Sequence, residues 1–439
     1  MSRSSYYHPD TVALHSGYVP ESDHGSRAVP IYQTTSYVFD SVSEASSLFN
    51  VEQGGHIYSR ISNPTVAVLE QRIAALEGGS GAICTASGMS ALFTTFITLC
   101  SAGDHIVSSG QIYGSTATLL QHTLRRLGIE TTFVSINDAQ ALEDAIQDNT
   151  KMVFCESIGN PGLEVANLPQ ISQIANQHGI PVVVDATFAT PALTRSFEAG
   201  ANVVVHSVTK WMGGHGAAIG GAIVDGGNFD WGDSGRFPQL TEPYEPFHGI
   251  RFWEEFGPNA LAMKIRAESM RDLGACMSPN NAFLILQGLE TLSMRMQKHM
   301  ANTRALVDWL QQQEQVTWVN HPDLESNPSH QLAQDLFPDG AGSIICFGVM
   351  GGRAGGAAFI DALQLASNLA NVGDSRTLVL HPGSTTHSRL DASAMEAAGI
   401  SEDLVRVSVG IEHIGDIQND FKAGLKAAQR LSSSAGDTK

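Results

Sequence analysis

VVVHSVTKWMGGHG, residues 203–216, decides how the rest of the chain is read. Three consecutive valines make a strand with both faces buried, and the closing glycines suit a turn. Lys210 falls where the apolar run ends, among Ser207, Thr209 and Trp211. Most lysines only solvate a surface. A lysine at a strand's carboxyl edge, ringed by hydroxyls and glycines, is instead a candidate for chemistry.

Outward from this stretch the chain alternates. GAICTAS (81–87), DHIVSS (104–109), TTFVSI (131–136), KMVFCES (151–157) and PVVVDAT (181–187) read as strands. GMSALFTTFITLC (88–100), TATLLQHTLRRLG (116–128), ALEDAIQ (141–147) and LPQISQIANQHG (168–179) read as the helices between them, and GAAIGGAIV (216–224) closes the series. Short apolar strands alternating with helices signal βαβ units and a sheet covered on both faces. Before them, 27–39 holds one strand-like run, RAVPIYQTTSYVF, and VAVLEQRIAALEGG (66–79) a helix. After them, 281–311 reads as one long helix with a packing stripe of Leu289, Leu292, Met296 and Met300. SIICFGVM (343–350), TLVLH (377–381) and LVRVSVG (404–410) add strands of a smaller α+β unit. The expected organisation is an arm over 1–75, a large α/β domain over 76–280 and an α+β domain over 281–439.

The 439 residues carry a formal net charge of −19. That balance argues against a nucleic-acid partner and against anionic membranes. No apolar run is long enough to span a bilayer. MSRSSYYHPD (1–10) lacks the apolar core of a signal peptide, so a cytoplasmic location is expected. The five cysteines are scattered and suit structural thiols, and no metal-ligand spacing occurs.

Ligands of such sheets bind outside the carboxyl ends of the strands. Asp185 closes one strand there, and Ser207, Thr209 and Lys210 follow the next. Ser87, Gly88 and Met89 open a helix, where free N–H groups favour an anion such as phosphate. Tyr113 follows 104–109 and Asn160 follows 151–157. A buried carboxylate, a phosphate cup, a stacking aromatic and an amine together suit pyridoxal 5′-phosphate. Its aldehyde joins a lysine, its ring nitrogen pairs with a carboxylate and its phosphate takes a helix start.

The runs YSRISNPT (58–65), TASGMSA (85–91), VDATFATP (184–191), residues 203–216, TLVLHPGSTTH (377–387) and RVSVGIE (406–412) carry a family resemblance. The sequence resembles the Cys/Met-metabolism family of pyridoxal-phosphate enzymes, over roughly residues 10–430. Its O-acetylhomoserine sulfhydrylase branch is indicated by GSRAVPIYQTTSYVFD (25–40), GGHGAAIGGAIVDGGNFDW (213–231) and ANVGDSRTLVLHPGSTTH (370–387). The resemblance implies fold type I, the aspartate-aminotransferase-like α/β fold: a mostly parallel seven-stranded sheet plus a smaller C-terminal α+β domain. It implies that Lys210 joins the cofactor and shuttles protons, that Asp185 holds the ring nitrogen and that Tyr113 stacks on the ring. Ser87, Gly88, Met89, Ser207 and Thr209 would bind phosphate, Thr187 would sit beside them, and Asn160 would contact the ring hydroxyl. Tyr58 and Arg60 would reach a neighbouring subunit's phosphate, with Tyr58 also near substrate. Arg406 would clamp the substrate α-carboxylate, with Ser375 and Asn160 close by. The assembly implied is a homo-oligomer, a dimer of active dimers.

The implied reaction is γ-substitution on O-acetyl-L-homoserine, with acetate leaving and sulfide adding to give L-homocysteine. The same machinery serves a carbon or bulkier nucleophile, a γ-lyase or a cystathionine γ-synthase. Ala186 and Ala192 stand where relatives of this family carry larger residues, which suggests a roomier pocket. His206, in an apolar run, reads as a core histidine, and His215, among glycines, as structural.

Overall fold

The Val-rich strand at 203–206 lies near the middle of a seven-stranded sheet. The computed structural model describes residues 8–20, 22–385 and 400–436. The strands are β1 (Gly81–Thr85), β2 (His105–Ser109), β3 (Glu130–Val134), β4 (Thr150–Glu156), β5 (Val182–Asp185), β6 (Val203–His206) and β7 (Gly221–Asp225). Their order is β1-β7-β6-β5-β4-β2-β3. β7 runs antiparallel to both its neighbours, and the remaining pairs are parallel. Fold type I is thus borne out.

Side chains alternate across a strand, so each valine run splits between two cores. Val182, Val184 and Val204 join one cluster with Leu69, Ile73 and Ile171 from the helices Pro64–Glu77 and Leu168–Gln177. Val183, Val203 and Val205 join the other with Leu92 and Phe96 of the helix Gly88–Leu99. Burial on both faces is why these strands read as unbroken apolar runs.

A second sheet holds β8 (Val316–Asn320), β9 (Ile344–Val349), β10 (Ser367–Asn368), β11 (Leu378–Leu380) and β12 (Leu404–Ser408), ordered β10-β11-β12-β9-β8. Val405 and Val407 point into a core with Phe359 and Phe421. Arg406, between them, therefore faces the other way, opposite Cys346 of β9.

Three local expectations are corrected. The run 27–39 forms no strand and makes only an isolated bridge from Ser36 to Tyr58. It finds no ladder partner among the described residues, and Val38 is 98% exposed. Residues 281–311 form two helices, Pro279–Leu289 and Leu292–Leu310, broken at Glu290–Thr291, although the apolar stripe is buried as expected. The helix expected over 116–128 begins at Gly114 and passes into a π-helical turn, Leu119–Leu124. No helix among the described residues is long and apolar enough to cross a membrane.

Candidate active site

β4, β5 and β6 end together, and their last residues define the site. Asp185 closes β5, and its Oδ1 accepts a hydrogen bond from the Thr187 N–H at 2.9 Å. The Thr187 hydroxyl accepts from the Ser207 N–H at 2.8 Å, which ties the ends of β5 and β6 together. Burial raises the Asp185 carboxyl above its ordinary range, while Thr187, His206 and Lys210 pull it back.

Lys210 sits on the turn after β6, with its N–H bonded to the Ser207 carbonyl at 3.1 Å. Its Nζ donates to the side-chain oxygen of Asn371. Burial, then the nearby Arg406, lower the amine to about 8, against a pull upward from Asp185. Arg295, itself buried, fixes the turn from below: it donates to the carbonyls of Trp211 (2.7 Å), Met212 (3.3 Å) and Gly288 (2.6 Å).

Ser87 caps the helix Gly88–Leu99 through a capping box with Ser90. The first N–H groups of a helix have no intrahelical partner. A Cβ on Gly88 would lie 2.7 Å from the Ser207 Cβ, so only glycine lets this helix start approach β6. The Thr209 hydroxyl is engaged with the Gly220 backbone, 3.1 Å to its carbonyl and 3.0 Å from its N–H. It thus ties the lysine turn to the start of β7.

Arg406 Nη1 donates to the Asn160 side-chain oxygen at 3.2 Å. Burial lowers its guanidinium, and none of the groups acting on it is an Asp or Glu. Among the described residues no carboxylate pairs with it, which leaves a part-buried cation without a counter-ion. The Ser375 hydroxyl donates to the Gly214 carbonyl at 2.7 Å, so it fastens its own loop to the lysine loop. Tyr113 is 48% exposed beside the site. Its N–H donates to Glu156 Oε1 at 2.6 Å.

Tyr58 and Arg60 stand apart. The Arg60 guanidinium lies 5.5 Å from the Tyr58 ring centre and donates to the Arg271 carbonyl. Within the chain, among the described residues, no hydrogen bond or ring contact joins either to Lys210, Asp185 or Ser87. Their neighbours in sequence, His56, Ile57 and Ile61, line a cavity of about 1640 Å³ together with Glu70, Phe247 and Arg266, and Lys210 is not among its lining residues.

His206 is a core histidine, with Nε2 2.5 Å from the buried Glu77 Oε1. Ala186 is 1% exposed and belongs to the core cluster, and Ala192 packs against the same cluster. The helix Thr190–Leu193 rests on the helices Pro64–Glu77 and Leu292–Leu310. The expectation of a pocket enlarged at Ala186 is corrected, because its side chain lies in the core; Ala192 is only partly buried.

Sequence reasoning missed Asn371, Arg295 and Glu156. Glu156 could have been found, because it ends the apolar run of β4 as Asp185 ends β5. The other two come from distant segments and carry no local signal.

The donor set fits a phosphorylated aromatic aldehyde: an amine of depressed basicity, a carboxylate at ring reach, a helix start cleared by glycine. A pyridoxal-phosphate enzyme of fold type I is the class these features define. The Cys/Met metabolism PLP-dependent enzyme model matches residues 10–426, and the chain belongs to that family. It is 48% identical to the homocysteine synthase of Schizosaccharomyces pombe, covering 96% of this chain and 99% of that protein. It is 48% identical to O-acetyl-L-homoserine sulfhydrylase 1 of Thermus thermophilus, over 95% and 99% of the two chains. A proposed O-acetylhomoserine (thiol)-lyase from Campylobacter jejuni superposes with a TM-score of 0.93 at 38% identity, over 96% and 100% of the chains. That structure carries N′-pyridoxyl-lysine-5′-monophosphate.

Proposed function

We propose that this protein replaces the γ-substituent of O-acetyl-L-homoserine, releasing acetate and adding sulfide to give L-homocysteine. The observation that carries this reading is that Lys210, lowered to about 8, and Arg406, a part-buried cation that lacks a carboxylate among the described residues, stand close enough to act on each other. The names and coverage of the relatives supply the substrate.

Bound pyridoxal phosphate supplies an electron sink for charge developing at Cα and Cβ. The chain's residues do the rest. Arg406 holds the α-carboxylate, which fixes the Cα–H bond toward Lys210. The Lys210 amine, neutral over a wider range than an ordinary lysine, takes the Cα proton and returns one later. Asp185 would hold the ring nitrogen, and Tyr113 would stack on the ring. The N–H groups of Gly88 and Met89, with Ser87 and Ser207, would take the phosphate. Asn160, bonded to Arg406, would contact the ring hydroxyl.

The arm that contains Tyr58 and Arg60 completes a neighbouring subunit's phosphate site in a dimer of active dimers. The exposed apolar residues Val38 and Val42 support that reading. The net charge of −19 suits a cytoplasmic protein. The test is a product mass spectrum from purified holoenzyme with O-acetyl-L-homoserine and sulfide. Homocysteine and acetate in equal amounts are expected. Their absence, with cofactor bound, overturns the assignment.

A further inference from the structure

Glu156 and Asp185 are register partners on the neighbouring strands β4 and β5. Adjacent strands lie about 4.8 Å apart, and register partners point to the same face. Phe154 and Val183, two positions earlier on each strand, lie in the same core cluster and mark that face. Two carboxyls therefore stand side by side where the sheet ends, and Glu156 is only 7% exposed. Its Oε1 accepts from the Tyr113 N–H at 2.6 Å.

The two carboxyls have different company. Asp185 accepts from Thr187 and lies near His206 and Lys210, which pull it down. Glu156 has the Tyr113 N–H and, among the described residues, no cation acting on it. The titratable groups around the pair are Tyr113 from the segment after β2, Cys155 on β4, His206 on β6, and Lys210 on the following turn, itself under Arg406. Like charges this close, out of water, do not both persist, and the proton goes to the partner with fewer donors.

We infer that Glu156 is a positioning residue that, carrying its proton, seats the backbone of Tyr113 and leaves Asp185 as the single anion at this edge. Burial, then Asp185, push the Glu156 carboxyl well above its ordinary range, in keeping with this. The consequence is a charge count. A second anion would favour the charged form of Lys210 and hold it protonated, whereas one anion against Arg406 leaves the amine free to accept a proton. The inference rests on reading Asp185 and Tyr113 as the contacts of the cofactor ring.

Two variants of the full-length holoenzyme test it. Glu156→Gln keeps a carbonyl oxygen for the Tyr113 N–H and cannot ionise. Glu156→Ala removes the seat. The readouts are the rate of pyridoxal phosphate release on dilution and the pH midpoint of cofactor absorbance. Glu156→Gln is expected to retain cofactor like the parent, with an unmoved midpoint. Glu156→Ala is expected to release it about tenfold faster, the equivalent of one lost hydrogen bond. A midpoint moved by about a full pH unit in Glu156→Gln means an ionised Glu156 and overturns the inference. So does a Glu156→Ala protein that holds cofactor like the parent. Where Glu156→Ala does not fold, Glu156→Asp, whose shorter arm withdraws the oxygen, takes its place. Asp185→Asn separates the two readings. If it leaves absorbance and release unchanged, the assignment of Asp185 to the ring fails, and not merely the role of Glu156.

Discussion

The Lys210 amine donates a hydrogen bond to the side-chain oxygen of Asn371, which stands on the loop between β10 and β11. The reactive group of the first sheet is thus held by a residue of the second. A neutral oxygen favours the charged amine modestly, and burial opposes it more strongly. In cofactor-free protein, labelling of Lys210 by an amine-reactive reagent is expected to show a midpoint near pH 8. The sign for Asn371→Ala follows: losing an acceptor disfavours the ammonium, so the midpoint moves lower. Turnover by the reconstituted variant is expected to fall about ten- to a hundredfold, because the amine is no longer aimed. Peptide mass spectrometry across pH reads the labelling. A parent midpoint at the ordinary lysine value of 10.5 contradicts the picture.

Gly88 is the narrowest point of the site. A methyl there would meet Ser207 Cβ at 2.7 Å and Oγ at 3.0 Å. Gly88→Ala is therefore expected to push the helix start away from β6 and open the phosphate cup. The variant should fold but lose pyridoxal phosphate on dialysis, followed by absorbance. Retention equal to the parent's removes the helix start from the phosphate site.

The parts of this molecule that were legible in the sequence are those that repeat or end strands. The valine runs revealed β5 and β6 because burial on both faces admits few other residues. Asp185 and Lys210 stood out as polar groups closing those runs. The run 27–39 reads as a strand because its apolar residues look the same whether they pair in a sheet or stay exposed. Asn371 and Arg295 stayed hidden for a different reason. Each meets the lysine loop from far along the chain, and no local pattern marks such contacts. Ala186 misled because a small residue next to Asp185 suggests space in the pocket. Only the strand's alternation shows that Ala186 faces the core.

Arg295 gives a stability prediction. It is buried at 6% exposure and donates to three carbonyls, of which Gly288's also accepts from Thr291, so those of Trp211 and Met212 depend on it most. Each buried carbonyl left without a donor costs roughly 1–3 kcal/mol. Arg295→Leu removes the buried charge, which offsets part of that loss, since burial already pulls the guanidinium down to about 10. A net loss on the order of 3 kcal/mol is expected in denaturant unfolding, with weaker cofactor retention as the Lys210 turn loosens. Unchanged stability would falsify the clamp.

Arg406 carries the prediction that bears most directly on substrate. Its hydrogen-bond partner is the neutral Asn160 at 3.2 Å, Cys346 lies across the strand pair, and the charged group acting with it is another cation, Lys210. A part-buried guanidinium kept without a carboxylate among the described residues is costly unless a ligand supplies one. Lysine at this position keeps the charge but offers no planar fork, so the two-point grip on a carboxylate is lost. Arg406→Lys is expected to weaken substrate by about 1.5–3 kcal/mol, a rise in KM of about ten- to a hundredfold. Cofactor absorbance and thermal stability should stay near the parent's, because neither depends on the fork. Steady-state kinetics with O-acetyl-L-homoserine separate the cases. A fall in kcat with KM unmoved means that Arg406 acts on the chemical step rather than on the carboxylate, and the docking of substrate must then be sought elsewhere on this edge.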